Sequence, residues 1–191
     1  RMETLKHLLL LNAALVSVNL FISGGLYVLT RSRLHLIVFA QWLAAMLVWF
    51  TGVLTATSSD FAKLSGFVIP VFFAHLCFAN LITSLCGFKQ RYSYFFAIMV
   101  LGYLISVLLH NLGFGTVAMA LPALVACALP AITASLSSFT LHRKQMTLSV
   151  KGLSVAVLLF AFYNIGYVSS FIYPDSAVAG YTLALIFVFV L

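Results

Sequence analysis

Apolar residues run along this chain in long blocks, and polar residues gather in short clusters between the blocks. A helix needs about 20 mostly apolar residues to cross a bilayer. Seven stretches meet or approach that length: 5–30, 34–57, 64–88, 95–111, 116–141, 148–173 and 177–191. The connections, at 31–33, 58–63, 89–94, 112–115, 142–147 and 174–176, hold Gly, Pro, Ser and charged residues suited to helix ends. None has room for a soluble domain. The pattern predicts an all-α, polytopic membrane bundle of seven transmembrane helices, forming one domain over 1–191. The seventh block ends on Phe-Val-Phe-Val-Leu without a polar flank. We therefore expect the natural chain to continue past Leu191. The first block is too long for a cleaved signal peptide and is followed by no clear small-residue cleavage site.

Composition supports lipid as the solvent. The chain is 64% hydrophobic and 7% charged, with a mean hydropathy of +1.17. Soluble domains are about 45–50% apolar and roughly 25% charged. The net charge of +7 would suggest a nucleic-acid partner in a soluble protein. Here the cations lie between apolar blocks, with no stacking or phosphate-binding pattern, so no nucleic acid is expected. They report orientation instead. Arg31, Arg33, Lys89, Arg91, Arg143 and Lys144 fall on the first, third and fifth connections, and Lys151 can snorkel to the same side. No acid accompanies them. The opposite side balances Arg1, Lys6 and Lys63 against Glu3, Asp60 and Asp175. This places the N-terminus outside and the C-terminus in the cytoplasm. Cys77, Cys86 and Cys127 all lie inside apolar blocks without a CxxC pair, and read as small packing residues.

Polar groups inside a bilayer are where function is sought first. No Asp or Glu lies within a predicted span. This counts against proton- or sodium-coupled transport and removes carboxylate general-base catalysis. The first span carries Asn12, Asn19, Ser23 and Tyr27 on one face, and the third carries His75, Asn80, Thr83 and Ser84. The sixth carries Tyr163, Asn164, Tyr167 and Ser170. Asn12, Asn19, His75, Asn80, Tyr163, Asn164 and Tyr167 form the candidate ligand pocket. The plainer alternative is interhelical hydrogen bonding, at about 0.6 kcal/mol per contact. His75 and His110 are the available pair for a haem or copper ion. Their depths differ, however: His75 lies roughly 15 Å inside and His110 near the outer end. No GxSG, HExxH, Walker or paired-carboxylate pattern is present. No catalytic residue, metal or cofactor is assigned.

Packing signals are also legible. Ala123, Cys127, Ala131 and Ser135 make a small-residue ridge at spacing four, which lets another helix approach closely. Pro122 and Pro130 on that helix free backbone carbonyls and predict a kink. Trp42 and Trp49 share a face of the second span, with Trp42 at the level of the cytoplasmic interface. There is no internal repeat and no matched pair of broken helices of the kind seen in inverted-repeat transporters.

The plan of seven helices, short loops and an inward C-terminus resembles the seven-helix membrane sensor domains that precede histidine kinase or diguanylate cyclase domains in bacteria. The resemblance covers the whole chain and lies in topology, so it carries over no ligand residue. It implies a dimeric sensor in the bacterial inner membrane, whose seventh helix continues into a cytoplasmic effector. It further implies a stimulus that reaches the bilayer, such as a small lipophilic ligand or the state of the membrane itself. The alternatives are a small-molecule transporter or permease, and a haem- or metal-binding membrane protein.

Overall fold

The computed structural model describes residues 2–54, 58–141 and 146–166. The regular structure of these residues is entirely helical: α1 Met2–Thr30, α2 Arg33–Leu54, α3 Asp60–Cys86, α4 Tyr92–Asn111, α5 Thr116–Leu141 and α6 Leu148–Gly166. All six are long and apolar enough to cross a membrane. The seventh predicted span, 177–191, lies outside the described residues, as do Tyr167 and Ser170.

The helix ends follow local chemistry. Ser59 caps α3, its Oγ accepting the Ala62 N–H at 3.3 Å. Asp60 sits in the first turn, where a carboxylate complements the helix dipole. α3 therefore begins at Asp60, four residues before the expected 64. Hydropathy discounts polar residues that the backbone ladder readily includes. α4 likewise begins at Tyr92 instead of 95. Gly87 closes α3 in the left-handed conformation (φ 74°), its N–H donating to the Thr83 carbonyl. Arg31 turns the chain between α1 and α2 at φ 52°, an unusual cost for a residue with a Cβ.

α3 and α5 form the centre. α3 packs against α2 and α5, α5 also packs against α4 and α6, and α1 packs chiefly on α2. Leu64, Val68, Phe72, Met119, Leu124 and Cys127 fill one half of the core. Phe78, Ile82, Cys86, Ala131, Val150 and Val157 fill the other. Large apolar side chains cover the outside, with Phe21 80%, Leu29 83% and Leu148 86% exposed. A surface of that character suits hydrocarbon, not water.

The small-residue ridge works as expected: Ala123, Cys127, Ala131 and Ser135 are all 0% exposed. The Cys127 thiol donates to the Val68 carbonyl at 3.5 Å across the α3–α5 contact. α5 runs as one helix through Pro122 and Pro130, as α3 does through Pro70. Neighbouring hydroxyls serve the backbone around the prolines. Ser106 Oγ receives the Ala123 N–H at 3.2 Å, and Thr133 Oγ1 donates to the Leu129 carbonyl at 2.8 Å. Trp42 is only 7% exposed. It lies nine residues past the start of α2, about 14 Å inward, so it packs inside the bundle instead of at the interface.

Candidate functional site

The polar groups inside the bundle fall into separate clusters at different depths. The deepest joins α3 to α6. His75 is wholly buried and lies 15 residues from the start of α3, or about 22 Å at helical rise. Its Nδ1 is 2.8 Å from the Val71 carbonyl four residues earlier. A carbonyl can only accept, so this contact assigns the ring proton to Nδ1. Nε2 is then an acceptor, and the Asn164 Nδ2 amide stands 3.4 Å from it. The same amide donates to the Phe160 carbonyl at 3.0 Å. Asn164 is 4% exposed. The Phe160 ring lies 5.5 Å from His75, tilted by 35°, and 6.3 Å from Tyr163. A neutral imidazole is thus held on both nitrogens, with aromatic carbon against its face and no carboxylate on either helix nearby.

A second cluster links α5 and α6. Ser138 Oγ lies 2.6 Å from the Ser135 carbonyl and 3.1 Å from Ser154 Oγ. All three serines are 0% exposed, and Ser135 Oγ has no hydrogen-bond partner among the described residues. A third cluster closes the α3–α4 end. Thr83 Oγ1 is 3.0 Å from the Tyr92 hydroxyl, which reaches Asn80 Oδ1 at 3.5 Å. Gln90 Nε2 donates to Thr133 at 3.1 Å. A fourth stands at the far end of α3. The His110 ring stacks on Phe61 at 4.3 Å and 6°, and Thr116 donates to Asp60 at 3.2 Å. Asp60 also pairs with Lys63 at 3.7 Å.

These positions sort the pocket expected from the sequence. His75 and Asn164 meet, and Tyr163 adjoins them through Phe160. Asn80 instead serves the α3–α4 end with Tyr92 and Ser84. Asn12 is buried and Asn19 half-buried on α1, whose main neighbour is α2. Tyr167 lies outside the described residues. The structure also keeps His75 and His110 apart. His110 stacks on Phe61, fourteen residues from His75 on α3, which amounts to about 21 Å along the helix. Two imidazoles on one metal ion need their nitrogens within about 4 Å of each other. Among the described residues no three His, Cys, Asp or Glu gather into a metal-binding set.

Sequence reasoning missed two features. Tyr92 belongs to a half-buried hydrogen-bond cluster, although it looks like a loop residue. Gly102 marks a close approach of α4 to α5, where it faces Ala126 and Pro122. A small residue opposite a small-residue ridge was the available signal. Beside that contact an open groove of about 330 Å³ runs between α4 and α5. It is lined by Ile98, Leu101, Ile105, Leu121, Val125 and their neighbours, all apolar. It offers no polar group to orient a substrate.

Compared with known protein families, curated proteins and solved structures, the chain matches none.

Proposed function

We propose that the chain is the sensory membrane module of a bacterial signalling receptor. In this reading seven helices span the inner membrane, with the N-terminus outside and the C-terminus in the cytoplasm. The observation that carries the reading is the His75–Asn164 contact at 3.4 Å between α3 and α6. α3 is one of the two core helices, and α6 is the last described helix before the C-terminal part of the chain. A polar contact in apolar surroundings makes a two-state element: it is either closed or replaced by another partner. A small or lipophilic ligand that competes for His75 Nε2 would shift α6 relative to α3. A stimulus moves such an equilibrium only as far as its affinities for the two arrangements differ. The orientation rests on the Lys/Arg bias of the connections. Carboxylates enter the described helices only in their first turns, at Glu3 and Asp60, and their absence from the helix interiors favours sensing over ion-coupled transport. Catalysis would belong to a cytoplasmic histidine kinase or diguanylate cyclase domain acting in a homodimer.

The test is made on the native full-length polypeptide, whose intact mass and peptide map identify the effector. Asn164→Leu should alter basal phosphorylation or cyclic-dinucleotide output and blunt its response to added apolar compounds. Unchanged output from a folded Asn164→Leu protein sinks the reading. So does a native chain without an effector that moves solutes across liposomes, which makes it a permease.

A further inference from the structure

One end of the bundle is uniformly basic. Arg31 and Arg33 stand at the α1–α2 turn, and Lys89 and Arg91 on the connection from α3 to α4. All four are exposed. The chain has three acids, Glu3, Asp60 and Asp175, and none lies on these connections or the helix ends that flank them. The ion pair of Lys63 with Asp60 belongs to the opposite end of α3.

The four cations are held on braced backbone. The Arg31 N–H bonds the Tyr27 carbonyl at 2.8 Å, and its guanidinium lies 5.9 Å over the Tyr27 ring. Thr30 Oγ1 meets His35 Nδ1 at 2.7 Å across the same turn. On the other connection Gln90 turns inward to Thr133 at 3.1 Å, leaving Lys89 and Arg91 facing out. The two connections are neighbours: α2 packs against α3 and the link from Leu54 to Asp60 is short, so Arg33 at the start of α2 lies at the same end of the bundle as Cys86 at the close of α3.

We infer that this end of the bundle binds the phosphate of an anionic phospholipid headgroup between the α1–α2 and α3–α4 connections. Guanidinium forks match phosphate oxygens two at a time. The cations adjoin the ends of membrane-length helices, at headgroup level. Tyr94, 66% exposed, and Tyr27 supply the aromatic side chains that favour that level. A soluble phosphate shares the chemistry but has no reason to prefer this depth. The inference does not depend on the sensory reading, because lipid retention can fail while signalling survives.

The experiment places the purified chain in phosphatidylcholine nanodiscs with and without phosphatidylglycerol. Retained lipid is then read by native mass spectrometry after release. Phosphatidylglycerol should be retained over phosphatidylcholine. Each basic side chain near an anionic surface strengthens binding about fivefold, so Arg33→Gln with Arg91→Gln should weaken retention about twenty-five-fold. Lys63→Gln, at the opposite end, should leave it unchanged. Melting in phosphatidylcholine alone checks that the double variant folds, and Arg31→Gln with Lys89→Gln gives an independent second pair. Equal retention of the two lipids, or full retention by both folded pairs, overturns the inference. Displacement of the lipid by millimolar inorganic phosphate overturns the headgroup assignment in favour of a soluble anion.

Discussion

Gly102→Ala tests the contact that holds α4 against α5. A Cβ built at this position stands 2.6 Å from the Ala126 Cβ and 2.8 Å from the Pro122 carbonyl oxygen. Carbon atoms in good contact sit about 3.5–4.0 Å apart, so the two helices must separate by roughly 1 Å. The Pro122 oxygen is backbone within a central helix and cannot rotate away as a side-chain tip would. Overpacking of this kind costs about 1–3 kcal/mol. Opposing it, alanine gains about 1 kcal/mol over glycine in helix propensity. Gly25→Ala isolates the two terms, because nothing lies within 4 Å of a Cβ built there. It takes the propensity gain without the clash. Gly102→Ala should therefore be less stable than Gly25→Ala by about 1–3 kcal/mol. Thermal melting of both variants in one detergent, at equal protein concentration, reads the difference at about 2–4 °C per kcal/mol. Adding Ala126→Gly to Gly102→Ala removes one of the two close contacts and should recover part of the loss. A Gly102→Ala protein that melts at or above Gly25→Ala would show that the α4–α5 packing described above is wrong.

Three further outcomes are expected. In a double-mutant cycle of His75→Leu and Asn164→Leu, the coupling energy should lie at about 0.6–1.7 kcal/mol. Strictly additive losses in unfolding experiments would show that the two side chains do not interact. Asn164→Leu alone should be the costlier single change, about 1–3 kcal/mol, because it strands the buried Nε2 acceptor. Ser59→Ala should destabilise α3 by about 1 kcal/mol through loss of its cap, while Ser58→Ala has little effect. Comparable melting of the two removes the capping argument. Ser138→Ala with Ser154→Ala should cost no more than Ser138→Ala alone, since removing both partners strands neither hydroxyl of the pair. A double variant much weaker than either single would show that the serines bond elsewhere.

The sequence by itself determined the class of this protein, because hydrocarbon imposes a simple rule. Each span must be about 20 apolar residues long, and its backbone must satisfy itself by helical hydrogen bonds. Length and hydropathy therefore located all six described helices. The ends were blurred at Asp60 and Tyr92, where a cap and the backbone ladder, not hydropathy, decide the boundary. The Ala123–Ser135 ridge was also legible, since spacing four on a single helix needs no partner to be seen. The candidate site was legible only in part. His75 and Asn164 are 89 positions apart, and their meeting depends on how α3 and α6 are rotated and placed. Uniformly apolar helices give weak clues to that rotation, because no polar face marks the outside. The different depths of His75 and His110 were legible by counting residues, but the same lack hid the hydrogen bonding of Tyr92 and the turning of Asn80 toward the α3–α4 end. Packing between helices decided these contacts. It rests on close-range fit at a few small residues such as Gly102, and that fit exists only once two helices are side by side.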